Sequence, residues 1–375
     1  MKLLYFTIQI NMIGGLARIL IDKINWLVAH GYDVTLCNIE RVDVLPAYAL
    51  DERVKVIRGD ISTTAGNALT RLRGVLGAIN RVREIIKEVQ PDIIVNAHCP
   101  LVTWVLPFVS TKIPKIVEIH QSRQGLEMLN RWAMNGFSRW LHKWSIRWIY
   151  GLYDKFVVLT SGDQKAWNLR NCMVIPNFSN YSEQSCLASI PREREEKAQY
   201  QIIMLARLVP QKRIDLMVQI WAKLAKDFPQ WQVKVLGEGW ERPRLEVQIL
   251  RAGLHDTFLL PGQVKNVTAE LQKSDILCLT SEYEGFGIVL IEAMLKGVPV
   301  IAFDYVGVDD IIENGVDGYV VPFGDIDTYV NKLKLMMSSF EERDRLVRNA
   351  LSSVRKFDKE DIMKRWVQLF NETKR

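Results

Sequence analysis

Between Ile276 and Pro299 the chain passes from a short apolar run into Ser281-Glu282-Tyr283-Glu284-Gly285-Phe286-Gly287. It then enters a helical pattern, Ile288 to Met294, that stops at Gly297-Val298-Pro299. A strand that breaks at two glycines and re-forms as a helix is the repeating unit of a parallel α/β sheet. The first amides of such a helix have no intrahelical acceptor and lie at the positive end of its dipole, so the turn favours an anion. Glu284 before the helix and Glu292 in its second turn frame that turn. Carboxylates are poor phosphate ligands but good acceptors for hydroxyl protons. Glycine amides beside two carboxylates describe a site for a sugar joined to a phosphate.

The same alternation runs through the chain. Lys2–Ile8, Asp33–Asn38, Asp92–Asn96, Lys115–Ile119 and Lys155–Leu159 read as strands, with helices at Leu16–Ala29 and Leu69–Val89. A second series starts at Tyr200–Leu205 and continues through Gln232–Leu236, Thr257–Leu260, Ile276–Leu279, Val298–Phe303 and Gly318–Val321. Two βα series predict an α/β protein with two Rossmann-like, doubly wound domains, at residues 1–180 and 200–357. The stretch 181–199, with Pro191 and the charged cluster Arg192-Glu193-Arg194-Glu195-Glu196-Lys197, reads as a linker. Residues 358–375 form an amphipathic helix with Ile362, Trp366 and Leu369 on one side.

The 375 residues suit two domains of ordinary size, and 48% hydrophobic with 25% charged residues suits a soluble enzyme. Met1 to Ile13 reads as a first buried strand rather than a signal peptide, and no apolar run is long enough to span a bilayer. Cys37, Cys99, Cys172, Cys186 and Cys278 show no paired or metal-like spacing, which predicts buried thiols in a reducing, cytoplasmic setting. Charge is uneven: residues 1–180 hold 22 basic and 14 acidic residues, the remainder 27 and 29. A basic first half suits an anionic partner, and composition alone does not separate nucleic acid, an anionic membrane and a pyrophosphate-bearing acceptor.

Glu284-x7-Glu292, followed by Ala293-Met294 and Gly297-Val298-Pro299-Val300-Ile301-Ala302, resembles the signature of the retaining glycosyltransferases of family 4, the group 1 glycosyltransferases. Ala206-Arg207-Leu208 with Lys212 resembles that family's diphosphate-binding Arg/Lys pair. Val235-Leu236-Gly237-Glu238-Gly239, Leu260-Pro261-Gly262-Gln263-Val264 and Gly315-Val316-Asp317-Gly318-Tyr319 resemble further segments in family order. Ile175-Pro176-Asn177 resembles its turn at the domain junction. The resemblance implies the GT-B arrangement, two domains facing a cleft, with the last helix returning to the first domain. It implies a nucleotide-sugar donor held by Arg207, Lys212, Gly237, Val264 and the segment Gly285, Phe286, Gly287, Ile288. Glu284 would hold hydroxyls of the donor sugar and Glu292 the ribose. Gly14-Gly15 resembles the pair that the family sets against the donor diphosphate, and His120 the histidine it sets near the donor sugar. Family members often follow that histidine with an acid, whereas this chain has Gln121. His120, Arg207, Lys212 and Glu284 are therefore the expected catalytic residues.

Asp325-Ile326-Asp327 has the spacing that holds a divalent metal in other glycosyltransferases, but it opens a helical pattern and reads as an N-terminal cap. The expectation is an enzyme that needs no metal or cofactor, with Arg207 and Lys212 supplying the positive charge. Two basic stretches suit an acceptor or a membrane. Arg71, Arg73, Arg81 and Arg83 decorate one helix. In the other, Arg139, Lys143 and Arg147 flank Trp140, Trp144 and Trp148, and no acid occurs from Leu129 to Tyr153. That second pattern fits an interfacial helix on anionic lipid and equally a buried aromatic seam.

These features predict a retaining transferase moving a sugar from a nucleotide sugar, expected to be a UDP-sugar. The predicted acceptor is a lipid-linked saccharide in surface polysaccharide or glycan synthesis. The partner surface would be the inner leaflet of the cytoplasmic membrane, with no nucleic acid involved. A sugar-nucleotide epimerase of the same architecture and a catalytically weak lipid-docking subunit are the competing readings.

Overall fold

The computed structural model describes residues 1–8, 10, 14–39, 46–61, 68–97, 99–109, 112–131, 136–179, 198–264 and 266–374, except for the side chains of 68–72, 129–131 and 136–139. Of the expected linker 181–199, all but Ala198 and Gln199 lies outside the described residues. The chain divides into two compact units, one of Met1–Asn177 with Glu360–Arg375, the other of Phe178–Lys359.

In the first unit seven parallel strands, β1 (Lys2–Thr7), β2 (Asp33–Asn38), β3 (Lys55–Arg58), β4 (Ile93–Ala97), β5 (Lys115–Glu118), β6 (Lys155–Val158) and β7 (Cys172–Val174), take the order β3-β2-β1-β4-β5-β6-β7. The sheet grows outward in both directions from β1 and β4, the doubly wound pattern that alternation predicts. The central strands are buried along almost their whole length, as strands of a parallel sheet are. On one face Leu4, Phe6, Ile94, Val117 and Phe156 pack on Val82, Ile85, Val102 and Leu106. Neither β3 nor β7 was legible as a strand in the sequence. β3 is an edge strand with three of its four residues exposed, and β7 is three residues long at the opposite edge, so neither carries a continuous apolar run.

In the second unit six parallel strands, β8 (Tyr200–Leu205), β9 (Trp231–Leu236), β10 (Phe258–Gly262), β11 (Ile276–Leu279), β12 (Val300–Phe303) and β13 (Tyr319–Val321), take the order β10-β9-β8-β11-β12-β13. The order reverses at β8 and β11, so the loops leaving those two strands stand side by side at the switch point, where ligands bind in open α/β sheets.

The helix Lys359–Lys374 packs within the first unit. It buries Ile362, Trp366, Leu369 and Phe370. Trp26 Nε1 donates to Glu360 at 2.7 Å, Arg365 donates to the Val174 carbonyl at 2.6 Å, and Lys374 pairs with Asp92 at 3.0 Å. Among the described residues no helix is long and apolar enough to cross a membrane. Cys37, Cys99, Cys172 and Cys278 are buried free thiols, each pushed up to about 12 chiefly by that burial; Cys186 lies outside the described residues.

Candidate active site

Beyond β8 the backbone stays extended against the loop after β9. Ala206 N–H donates to the Leu236 carbonyl at 3.1 Å and Leu208 N–H to that of Glu238 at 3.0 Å. Gly237 N–H donates in turn to the Gly262 carbonyl at 3.0 Å, which sets Gly237 and the loop carrying Val264 beside each other. So close an approach requires glycine: a Cβ on Gly239 would stand 2.2 Å from the Leu208 carbonyl oxygen. Since that contact is with backbone, Gly239→Ala must displace the segment carrying Arg207. We expect it to lower turnover while the far core of the unit still folds, checked by steady-state rates beside a melting curve. Wild-type rates in the variant would show that the position of Arg207 is immaterial.

The loop after β8 ends in a single 3-10 turn, Pro210–Lys212, and is stapled to the loop after β11 by four polar contacts. Thr280 Oγ1 donates to the Lys212 carbonyl at 2.8 Å, Glu282 N–H to that of Gln211 at 2.9 Å, and Gln211 Nε2 to that of Tyr283 at 2.7 Å. The fourth joins side chains: Lys212 Nζ lies 2.6 Å from Glu284 Oε1. Ser281 Oγ donates to the same oxygen at 2.6 Å. Ser281 and Glu284 are both buried, so the carboxylate is held in one orientation by an ammonium and a hydroxyl. The sequence motif named Lys212 and Glu284 separately, and the structure brings them into contact. No motif marks Ser281; its place three residues ahead of Glu284 on the turn is the signal the sequence carries. The Arg207 side chain is exposed and has no ion-pair partner among the described residues. Its charge reaches the Tyr283 phenol, where burial raises the pKa and Arg207 opposes the rise.

Gly287 takes φ +94° and opens the helix Ile288–Met294. A Cβ there would meet the Tyr305 hydroxyl at 2.1 Å, and that hydroxyl donates to the Phe286 carbonyl at 3.0 Å. The turn Gly285, Phe286, Gly287, Ile288 is therefore fixed from beneath by Tyr305. Glu292 sits half-buried one turn into the helix. Beyond the edge strand β13 of the same sheet, Asp325 accepts from Thr328 N–H at 3.0 Å and caps the helix Ile326–Ser338, while Asp327 pairs with Lys223 at 2.5 Å. Each carboxylate of that Asp-x-Asp has a partner of its own.

In the first unit Gly14 and Gly15 are exposed ahead of the helix Gly15–Ala29. Gly14 has φ 175°, extended backbone open to any residue, so its conformation does not demand glycine. His120, just past β5, joins two groups that no sequence motif marks. Glu118 lies two residues earlier, on the same face of the strand, and forms a buried ion pair with Lys23 of the helix Gly15–Ala29. Lys23 and Glu118 side chains are each 2% exposed and His120 8%. His120 Nε2 stands 3.7 Å from Glu118 Oε1, an ion-pair distance rather than a hydrogen bond, and both its ring nitrogens are buried without a hydrogen-bond partner among the described residues. The Lys23 ammonium also lies 4.0 Å from the ring centroid of Trp366, in the helix Lys359–Lys374. Burial works to raise the Glu118 pKa, but Lys23 and His120 beside it overcome that and hold it at about 2. Burial pulls Lys23 down, with Glu118 opposing. A lone acid in an apolar strand was the signal in the sequence; its lysine is 95 residues away.

The basic helix Ala68–Val89 does not present all its arginines alike. Arg81 spends its guanidinium on the Gly59 and Arg58 carbonyls at 3.1 and 3.2 Å, tying the helix to β3, whereas Arg73 and Arg83 are exposed. The Arg71 and Arg139 side chains lie outside the described residues. On the helix Gly136–Gly151, Trp140, Trp144 and Trp148 are 61%, 60% and 45% exposed, which removes the buried-seam alternative. Lys143 pairs with Glu127 at 2.7 Å and Arg147 donates to the Asn168 carbonyl at 2.8 Å.

Two family profiles match in tandem, "Glycosyltransferase Family 4" over residues 13–180 and "Glycosyl transferases group 1" over 188–353. The amylovoran biosynthesis glycosyltransferase AmsD of Erwinia amylovora is 25% identical over 99% of both chains. A Campylobacter jejuni α-1,4-N-acetyl-D-galactosaminyltransferase, named for a diNAcBac-PP-undecaprenol-linked acceptor, is 25% identical over 100% of this chain and 99% of its own. Among solved structures, Anabaena HepE in complex with UDP superposes with a TM-score of 0.74 at 18% identity, over 99% of this chain and 100% of that one. At that identity the likeness is one of fold, the GT-B fold.

Proposed function

The chain belongs to the group 1 glycosyltransferases of family 4 and transfers a sugar from a nucleotide sugar; from that premise we propose a retaining, metal-independent transferase acting on a UDP-sugar and a lipid-linked saccharide. The observation that carries the donor half is the Lys212–Glu284 contact at the switch point, with Arg207 exposed on the same loop. As the glycosidic bond breaks, negative charge develops on the diphosphate oxygens. Fixed cations there stabilise the transition state more than the ground state. Arg207 grips two oxygens and Lys212 supplies a point charge, while Glu284 both holds Lys212 and accepts from sugar hydroxyls. The acceptor oxygen then bonds to the anomeric carbon on the face from which the diphosphate departs, and its proton passes to a departing phosphate oxygen. No covalent nucleophile is required. Glu292 takes the ribose.

UDP is supported by the complex recorded for HepE. A lipid-linked acceptor, met at the cytoplasmic face of the membrane in glycan assembly, is supported by the Campylobacter relative's name and by the basic first half of the chain. A thermal-shift screen of UDP-, GDP- and ADP-sugars tests the donor: a ligand that binds only the folded state raises the midpoint. An epimerase would turn over UDP-sugar with no acceptor, so acceptor-free conversion of the donor would displace this reading.

Chelation tests the metal. Activity should survive EDTA, because Asp325 and Asp327 are already engaged by Thr328 and Lys223 and the diphosphate charge is met by Arg207 and Lys212. A loss restored by Mn²⁺ or Mg²⁺ would sink that part of the proposal.

A further inference from the structure

The exposed tryptophans of the helix Gly136–Gly151 do not stand alone. Trp104 and Phe108, one turn apart on the helix Pro100–Val109, are 37% and 52% exposed, and the Phe108 ring lies 5.9 Å from that of Trp148. Two helices thus present one aromatic face: Trp104 and Phe108 from the first, Trp140, Trp144 and Trp148 from the second. A recess of about 320 Å³ opens on it, walled by Trp144, Trp148, Leu152 and Leu169 with Arg147 at its edge. Surface aromatics scattered singly need no explanation, but a contiguous patch with five large rings does.

The geometry points to this face as a bilayer docking surface that seats its aromatic rings among lipid headgroups and upper acyl chains. Charge complementarity selects lipid as the occupant. The helix Gly136–Gly151 carries Arg139, Lys143 and Arg147 and no acid. Glu127, the carboxylate that Lys143 meets at 2.7 Å, is also paired with Arg123 at 3.1 Å. Indole prefers the boundary where one edge is apolar and the other wet, and cations beside it meet lipid phosphates. With Lys143 and Arg147 already engaged within the protein, the rings carry most of the attachment. Docking should therefore persist in part on neutral lipid and in high salt, where purely electrostatic attachment is lost. The inference deepens the lipid-linked-acceptor reading by naming the surface that faces the membrane, yet the surface can be tested without any acceptor.

The test uses the full chain and its Trp140→Ser/Trp144→Ser variant, both substitutions being at highly exposed positions. Each is sedimented with phosphatidylcholine vesicles and with vesicles that also contain phosphatidylglycerol, at low and high salt. Wild-type protein should bind both, more tightly to the anionic ones, and the variant should bind each at least about tenfold more weakly with its melting curve and UDP affinity unchanged. Equal binding by variant and wild type overturns the proposal, as does wild-type protein that stays in the supernatant throughout. Self-association of the wild type that the variant abolishes, without vesicle binding, overturns it in favour of a protein partner. Vesicle binding as expected, with a soluble saccharide serving as well as a lipid-linked one, upholds the surface and fails the acceptor reading alone.

Discussion

Lys212→Ala should lower kcat by about 10²–10³ at saturating donor, the usual cost of removing one fixed charge-stabilising donor from an active site. The loss should lie in turnover rather than folding, because Glu284 keeps its hydrogen bond from Ser281 at 2.6 Å and the three other contacts between the loops involve backbone. Lys212→Arg should recover part of the rate, since a guanidinium restores the charge without the same geometry. Near-wild-type kcat in the alanine variant, with the melting midpoint unmoved, would remove Lys212 from the mechanism.

The second large effect concerns stability. Glu118→Ala leaves the Lys23 ammonium buried without its counter-ion, and breaking a buried pair from one side typically costs about 3–5 kcal/mol. Glu118→Leu combined with Lys23→Met should recover most of that loss, because it removes both charges together and leaves neither buried without its partner. A fully additive double variant would mean that the two side chains are energetically independent. The same pair sets an acid limit. The Glu118 carboxyl is held at about 2 against a reference of 4.5, so its contribution is complete above the reference value and disappears as pH falls towards 2. Denaturation midpoints measured between pH 6 and 2 should fall most steeply in that window, and Glu118→Leu/Lys23→Met should flatten the fall.

Much of the candidate site was legible because its chemistry is local. Gly285, Gly287, Glu284 and Glu292 lie within one turn and one short helix, and Arg207 and Lys212 on one loop, so spacing alone brought them to notice. What spacing does not carry is contact across the sheet. Lys212 meets Glu284 only because the order reverses between β8 and β11, and Lys23 meets Glu118 only because the helix Gly15–Ala29 lies over β5. The strands β3 and β7 escaped notice for the opposite reason: at a sheet edge half the residues face water and the apolar run dissolves. For the tryptophan helix, periodicity gave the stripe but not its direction. An aromatic stripe spaced by four is the same string of letters whether it faces a core or a bilayer.

The first unit holds residues from both ends of the described chain, with Phe178–Lys359 inserted between them. Trp366 covers Lys23, and Arg365 and Lys374 fasten to Val174 and Asp92, so a ribosome must deliver the last helix before the earliest strands are sealed. Domains usually mature in the order they are synthesised. Here the inserted unit can finish first, while the amino-terminal sheet waits with one flank bare. During translation that flank, on which Ile362, Trp366, Leu369 and Phe370 finally settle, is the surface a chaperone would find.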